Sequence, residues 1–172
     1  MDWSPPACFK RNAMALDNWR VQLHACGDHE LATALVRSLE SLFQADLHRL
    51  TVDASERNIV QRLAAHLSSQ GLLAPDGKPW DVDVEYNRQG ARVKTINGMQ
   101  VVVPDLILHR VGTDQNFLAL ELKKGAAAEA NEDDLAKLWA YRQPDQLNYC
   151  HALFLRLGVE AEAGTVSSIV WV

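Results

Sequence analysis

The stretch from Val101 to Lys124, VVVPDLILHRVGTDQNFLALELKK, contains two apolar runs on either side of a short polar segment. Apolar runs of this length predict β-strands, and the segment at 112–114 predicts a turn that makes the strands antiparallel neighbours. Each strand carries one acidic residue in its apolar surroundings, Asp105 in the first and Glu121 in the second. These two strands are the centre of the predicted fold.

The spacing of the charged residues places them on one face of the pair. Side chains alternate between the two faces of a strand, so Glu121 and Lys123 point to the same side. Paired strands can then bring Asp105 and Glu121 together. Two converging carboxylates repel each other and lose solvation, and a divalent cation between them relieves both effects. The sequence therefore predicts a metal site with the amine of Lys123 beside it.

The order Pro104-Asp105, a spacer of 15 residues, then Glu121-Leu122-Lys123 resembles the signature of the PD-(D/E)XK nuclease superfamily. Members of this superfamily have the restriction-endonuclease-like fold. The resemblance covers residues 54–172, which makes this part the nuclease-like domain, and small stand-alone prokaryotic members are the most similar. It implies an α/β fold with a mixed sheet and an αβββαβ core. Residues 1–53 would form an N-terminal helical hairpin packed on that core.

The activity that this resemblance implies is metal-dependent hydrolysis of phosphodiester bonds in nucleic acid, with DNA favoured over RNA. Asp105, Glu121 and the backbone carbonyl of Leu122 would bind one or two Mg²⁺ or Mn²⁺ ions, which lower the pKa of a bound water. Glu56, on the helix before the sheet, would ligate the metal directly or through water. Lys123 would orient or activate the water and stabilise charge on the phosphate.

Glu56 has a second interpretation that depends only on local structure. It lies before Ile59, Val60 and Leu63 at helical spacing, so it should face the core or a cleft beside it. Asp53 could be the N-cap of this helix, with Glu56 reaching back in a capping box. Both roles remain open at this stage.

Positive charge is concentrated around the proposed site. Six basic residues and three acidic residues lie between Arg88 and Lys124, which gives +3 in a chain whose net charge is -5. This excess suits phosphate, although strand edges also carry Lys and Arg to prevent aggregation. Arg88, Lys124 and Lys137 are the candidate substrate contacts. For Lys137 the alternative is a surface ion pair with Asp133, four residues earlier.

The remaining pattern predicts alternating helices and strands. Asp28 is a predicted N-cap, Gly27 a predicted helix stop and Asn97-Gly98 a strong hairpin signal. A helix between two strands favours a parallel strand pair. Helices are expected at 12–26, 28–47, 54–70 and 131–142, and strands at 80–88, 91–96, from 101, 117–124, 149–156 and 166–172.

Composition restricts the classes of protein further. The chain has 172 residues, enough for one domain, and 48% hydrophobic residues exclude disorder as the main state. No membrane span or secretory signal is evident, and the three dispersed cysteines form no CxxC pair, so we expect a cytoplasmic protein without membrane partner or zinc. The sequence contains no Walker loop, GxGxxG motif or nucleophile elbow.

Two other functions agree with the same sequence. The chain could be a catalytically silent nuclease-like domain that binds nucleic acid or a protein partner. It could also be an interaction module that uses the N-terminal helices as a contact surface, either in a homodimer or with a partner protein in a defence or repair system. The geometry of Asp105 and Glu121 separates these possibilities, because only acids that can share one cation favour the enzyme.

Overall fold

The computed structural model of the protein describes residues 18–89, 92–96, 98 and 100–172. Within these residues the chain has a mixed α/β architecture, as the sequence predicts. A central five-stranded sheet carries α-helices on both faces.

Five α-helices occur in the described residues, and two short 3-10 turns accompany them. The helices are α1 (Trp19–Leu23), α2 (His29–Ala45), α3 (Leu47–Thr51), α4 (Glu56–Ser68) and α5 (Glu132–Arg142). The 3-10 turns are His24–Cys26 and Glu160–Glu162. The first part of the helix expected at 12–26 lies outside the described residues.

The helix boundaries follow local capping chemistry. The carboxylate of Asp28 accepts a hydrogen bond from Leu31 N at 2.9 Å, so its predicted N-cap role is confirmed. Gly27 has φ 80°, the left-handed conformation expected of a helix stop. The prediction that Asp53 caps α4 is wrong, because Ser55 is the N-cap and accepts from Asn58 N.

Nine strands occur in the described residues, and five of them form the main sheet. They are β1 (Asp81–Val84), β2 (Arg88–Gln89), β3 (Arg92–Val93), β4 (Thr95–Ile96), β5 (Gln100–Val101), β6 (Leu106–His109), β7 (Asn116–Lys124), β8 (His151–Leu157) and β9 (Val166–Trp171). The main sheet has the order β1-β6-β7-β8-β9. Strands β7 and β8, which flank α5, are parallel, and the other pairs are antiparallel. The predicted parallel pair is therefore confirmed.

The expected strand at 91–96 does not join the main sheet. Instead β1 pairs directly with β6, and the residues between them form two small ribbons, β2-β3 and β4-β5. Strands β4 and β5, on either side of Gly98, pair antiparallel as the hairpin signal predicts, and Asn97 itself lies outside the described residues. The ribbons leave the sheet because Ile96 and Val102 pack into the core on the α5 face. Lys94 is also buried, and its Nζ donates to the Tyr149 hydroxyl at 2.6 Å.

The sheet separates two hydrophobic cores. Helices α1 to α4 pack on one face, where Leu120 and Leu122 of β7 point. Helix α5 packs on the other face, against Ala119 of β7 and Phe154 of β8. Among the helices that the structure describes, none combines the length and the apolar character needed to cross a bilayer. The α5 face is the one to which Glu121 contributes its side chain.

Candidate active site

The site lies where β7 extends beyond its neighbour β6. Strand β6 pairs with β7 as far as Leu106 opposite Leu120. Asp105 immediately precedes β6, so the same register places it opposite Glu121, as the sequence predicts. The last residues of β7 therefore run past the end of β6 and lie beside the N-terminus of α4, which carries Glu56.

Two site carboxylates occupy hydrogen-bonding positions along this free edge of β7. The N–H of Leu122 donates to Asp105 Oδ2 at 2.8 Å, and the N–H of Lys124 donates to Glu56 Oε1 at 3.2 Å. Without these side chains the edge N–H groups would lack protein partners. In an extended strand the N–H and C=O of one residue face the same neighbour, so the Leu122 carbonyl also points toward this edge.

Glu121 is a deeply buried acid at the centre of the site. Only 4% of it is exposed, and the Tyr141 hydroxyl donates to its Oε1 at 3.2 Å. Burial, followed by the nearby Asp105 carboxylate, raises the pKa of Glu121 to about 8. Burial also raises the pKa of Tyr141, which keeps its hydroxyl protonated as a donor. In this state Glu121 holds a proton through most of the neutral range.

Asp105 is electrostatically coupled to the same group of charges. Burial raises its pKa, whereas the hydrogen bond from Leu122 N and the charge of Lys123 act in the opposite direction. The Glu56 carboxylate raises it further. The structure therefore brings Asp105, Glu121 and Glu56 into one interacting set of acids.

The amine of Lys123 lies between two of the carboxylates. Its Nζ is 3.6 Å from Glu56 Oε2 and 3.9 Å from Asp134 Oδ2, and 27% of the side chain is exposed. These are loose ion pairs, in which the amine keeps some of its solvent contact. Lys123 can thus interact with a water or an anion that enters the site.

Asp134 on α5 is a site residue that the sequence analysis missed. It is 3% exposed and accepts hydrogen bonds from Lys137 Nζ and from Asn131 Nδ2, each at 3.1 Å. The expected pair between Lys137 and Asp133 is wrong, because the Lys137 amine pairs with Asp134 instead. The helical spacing of Asp134 with Leu138 and Tyr141 contained the signal, since all three share the buried face of α5.

Lys137 reaches the site carboxylates from α5 through its hydrogen bond to Asp134. Burial alone would lower its pKa, but the hydrogen bond to Asp134 and the charges of Glu121 and Asp105 raise it. The lysine therefore remains charged and offsets part of the negative potential. Together Glu56, Asp105, Glu121 and Asp134, with Lys123 and Lys137, define what we call the acidic cluster.

A cleft of about 210 Å³ connects the acidic cluster with solvent. Glu56, Asp105 and Glu85 contribute to its wall, together with Arg57, Val60 and Val84. Glu85 has a left-handed backbone with φ 50°, and its N–H donates to the Asp105 carbonyl at 3.2 Å. Its carboxylate pairs with Arg57 at 2.8 Å. Glu85 therefore lines the approach to Asp105.

The other two predicted substrate contacts lie in different surroundings. The Nζ of Lys124 donates to Asp53 Oδ1 at 2.6 Å and to the Ala54 carbonyl at 2.8 Å. It therefore fastens the end of β7 to the loop before α4. Arg88 is exposed on β2, and none of its described contacts involves the acidic cluster.

The arrangement does not form a complete metal-ligand set by itself. In the part of the chain that the structure describes, no group of three or more His, Cys, Asp or Glu side chains is placed to hold a metal ion. Internal partners account for this, because Asp105, Glu56 and Asp134 accept hydrogen bonds from N–H groups. The donors are nevertheless hard oxygens, the ligand type that Mg²⁺ and Mn²⁺ prefer.

Comparison of the chain with protein-family models, with curated proteins and with solved structures gave no match. The function is therefore argued from the geometry of the acidic cluster and from the fold around it.

Proposed function

We propose that this protein is a metal-dependent nuclease that hydrolyses phosphodiester bonds in nucleic acid, with DNA favoured over RNA. One observation carries the proposal. A glutamate that is 4% exposed lies beside a second half-buried carboxylate, and the two have no arginine partner among the described residues. Such a pair disfavours ionisation of both acids, and a divalent cation would reverse that preference.

The residues that would hold the cation are Asp105, Glu121 and the Leu122 carbonyl, with Glu56 as a direct or water-mediated ligand. The bound ion would supply Lewis acidity and a water of lowered pKa. Binding requires the loss of the Glu121 proton and a turn of the Asp105 carboxylate away from Leu122 N. We therefore expect ion binding to release protons and to strengthen as the pH rises toward 8.

The remaining residues act on the substrate and on the ligands. Lys123, on the exposed side of the cluster, would orient the attacking water and neutralise charge on the phosphate. Tyr141 holds Glu121 in place through its hydroxyl. The cleft beside Glu56 and Asp105 gives the phosphate a route from solvent.

The order of secondary structure supports the part of the proposal that concerns the fold family. Helix α4, strands β1, β6 and β7, helix α5 and strand β8 follow one another in the αβββαβ order of the restriction-endonuclease-like core. The two ribbons are an insertion between the first and second of these strands. The position of the acids at the end of the β6-β7 pair also supports this part of the proposal.

A catalytically silent domain is the second candidate function. The observation in its favour is that the site carboxylates already have internal hydrogen-bond partners. A protein that only binds nucleic acid or a partner would keep these contacts permanently. Under that alternative, divalent ions would neither bind to the acidic cluster nor alter the protein's stability.

The test is a nuclease assay with the purified full chain. Plasmid, linear duplex, single-stranded DNA and RNA are incubated with Mg²⁺, Mn²⁺ or EDTA. The Glu121→Ala variant is compared with Glu162→Ala, which changes an exposed acid in the 3-10 turn at 160–162. We expect cleavage that EDTA and Glu121→Ala abolish and that Glu162→Ala retains.

Two results would contradict the proposal. Cleavage that survives both EDTA and Glu121→Ala would come from a contaminant. Absence of cleavage on every substrate, combined with no Mn²⁺ binding by calorimetry, would favour the silent domain.

A further inference from the structure

A second and larger cleft lies at the opposite end of β7 from the acidic cluster. Its volume is about 890 Å³, in the range of clefts that bind ligands in proteins. Phe117, near the start of β7, contributes to its wall, and Glu121 lies four residues further along the same strand. That spacing corresponds to about 13 Å. No residue of the acidic cluster lines this cleft, so its role is separate from the proposed catalysis.

Part of the cleft surface is apolar and rigid. Trp80 and Phe117 stack with ring centroids 4.8 Å apart and an angle of 2° between the planes. Leu73, on the loop after α4, also lines the cleft and is 54% exposed. A large exposed leucine beside an aromatic pair offers a surface for an apolar side chain of a ligand.

The charges of the cleft have one sign. Four acidic residues and no lysine or arginine line it, namely Asp28, Glu30, Asp76 and Asp114. Asp28 caps α2, and Asp76 pairs with Arg110 outside the lining. Glu30 and Asp114 are both exposed, and neither forms an ion pair with any residue that the structure describes. They are free to interact with cations of a ligand.

We propose that this cleft binds a basic peptide segment of a partner protein, with an apolar side chain on Leu73 and the aromatic pair and with Lys or Arg side chains at Glu30 and Asp114. Charge complementarity selects this partner, since the unpaired carboxylates of Glu30 and Asp114 attract cations and repel the phosphates of nucleic acid. The volume exceeds what one amine or one side chain fills and accommodates several residues of a peptide. The cleft would thus recruit a protein at one end of the sheet, while the acidic cluster faces the other.

The test uses the full-length protein and a phage-displayed library of random heptapeptides. Selected peptides should contain two or more Lys or Arg residues together with a Leu, Ile or aromatic residue. Their affinities, measured by fluorescence anisotropy of synthetic copies, should fall at least about ten-fold in the double variant Glu30→Lys/Asp114→Lys. Leu73→Ser should weaken the same peptides without changing their salt dependence.

A matched control separates the cleft from general attraction to an acidic protein. The double variant Glu160→Lys/Glu162→Lys makes the same change in net charge at exposed positions outside the cleft. It should keep the wild-type affinity, and thermal unfolding should show that both double variants are folded.

Three results would overturn the proposal. One is a selection that enriches no peptides. Another is an equal loss of affinity in the two double variants, which would mean nonspecific attraction. The third is displacement of the peptides by spermidine with an affinity as high as their own, which would assign the cleft to small cations. None of these results depends on nuclease activity.

Discussion

Replacement of Glu121 by glutamine should remove a pH-dependent loss of stability from the metal-free protein. Glutamine has almost the same shape and can still accept the Tyr141 hydrogen bond, but it cannot ionise. The wild-type carboxyl has its pKa raised from 4.5 to about 8, first by burial and then by Asp105. The prediction concerns protein kept in EDTA, where no cation offsets these effects.

The sign and size of the effect follow from proton linkage. Below pH 4.5 the carboxyl is protonated in both the folded and the unfolded chain, so it contributes no pH dependence. Above pH 4.5 the unfolded chain loses the proton while the folded protein keeps it until about pH 8. The free energy of unfolding therefore falls by about 1.4 kcal/mol per pH unit. Between pH 4.5 and 7 the free energy of unfolding of the wild type should fall by about 3 kcal/mol relative to that of the variant.

Urea denaturation at pH 4.5, 5.5, 6.5 and 7.5 measures this difference. The gap in unfolding free energy between Glu121→Gln and wild type should widen steadily in favour of the variant. Glu162→Gln, at an exposed position, is the control and should follow the wild type at every pH. Addition of Mn²⁺ should then stabilise the wild type and leave Glu121→Gln almost unchanged.

Parallel stability curves for Glu121→Gln and wild type would refute the reasoning. They would mean that the buried carboxyl ionises in the folded protein as easily as in water. The carboxylate pair would then provide no driving force for a cation, and the main support of the proposed function would be lost.

Three further predictions concern other parts of the molecule. Lys123→Met should reduce any nuclease rate by at least about 100-fold in a plasmid assay while the urea midpoint stays near the wild-type value. Burial alone would raise the pKa of Asp46, but hydrogen bonds led by the one from Arg62 hold this pKa at about 2. Asp46→Asn should therefore lower the free energy of unfolding by about 2 kcal/mol at pH 7. Calorimetry should show this difference shrinking as the pH falls from 3.8 to 2. Gly158→Ala should destabilise the fold by about 2 kcal/mol in urea, because the new methyl group would overlap the backbone oxygen of Glu162.

Much of the fold was predictable because it depends on short-range patterns. The apolar runs around Asp105 and Glu121 define β6 and β7, and the turn between them makes the two strands antiparallel neighbours. The N-cap at Asp28 marks the start of α2, and the apolar spacing of Leu135 and Leu138 marks the buried face of α5. In each case the information lies within a few neighbouring residues, where alternation and capping chemistry act.

The errors occurred where distant contacts outweigh a local preference. Asp53 is a suitable N-cap residue, but its carboxylate pairs with Lys124, so Ser55 caps α4 instead. Residues 91–96 have the composition of a strand of the main sheet, but the described ones, 92–96, lie in the ribbons, where Ile96 packs into the core on the α5 face. Lys124 is far from Asp53 in the sequence, and Ile96 packs with distant residues such as Leu135 and Phe154. No local sequence pattern contains either contact.

The sequence by itself determined that Asp105, Glu121 and Lys123 lie near one end of a strand pair, because the apolar runs and the turn suffice for that. The register that sets Asp105 opposite Glu121 depends on a β-bulge between Leu108 and His109, which only the structure shows. Only the tertiary structure decided which groups surround them. Asp134 enters the cluster when α5 crosses back over the sheet, and Glu85, whose own backbone is left-handed, lines the cleft beside Asp105. Their positions depend on packing between elements that are far apart in the chain, and this packing sets the burial and the charge that perturb the central acids.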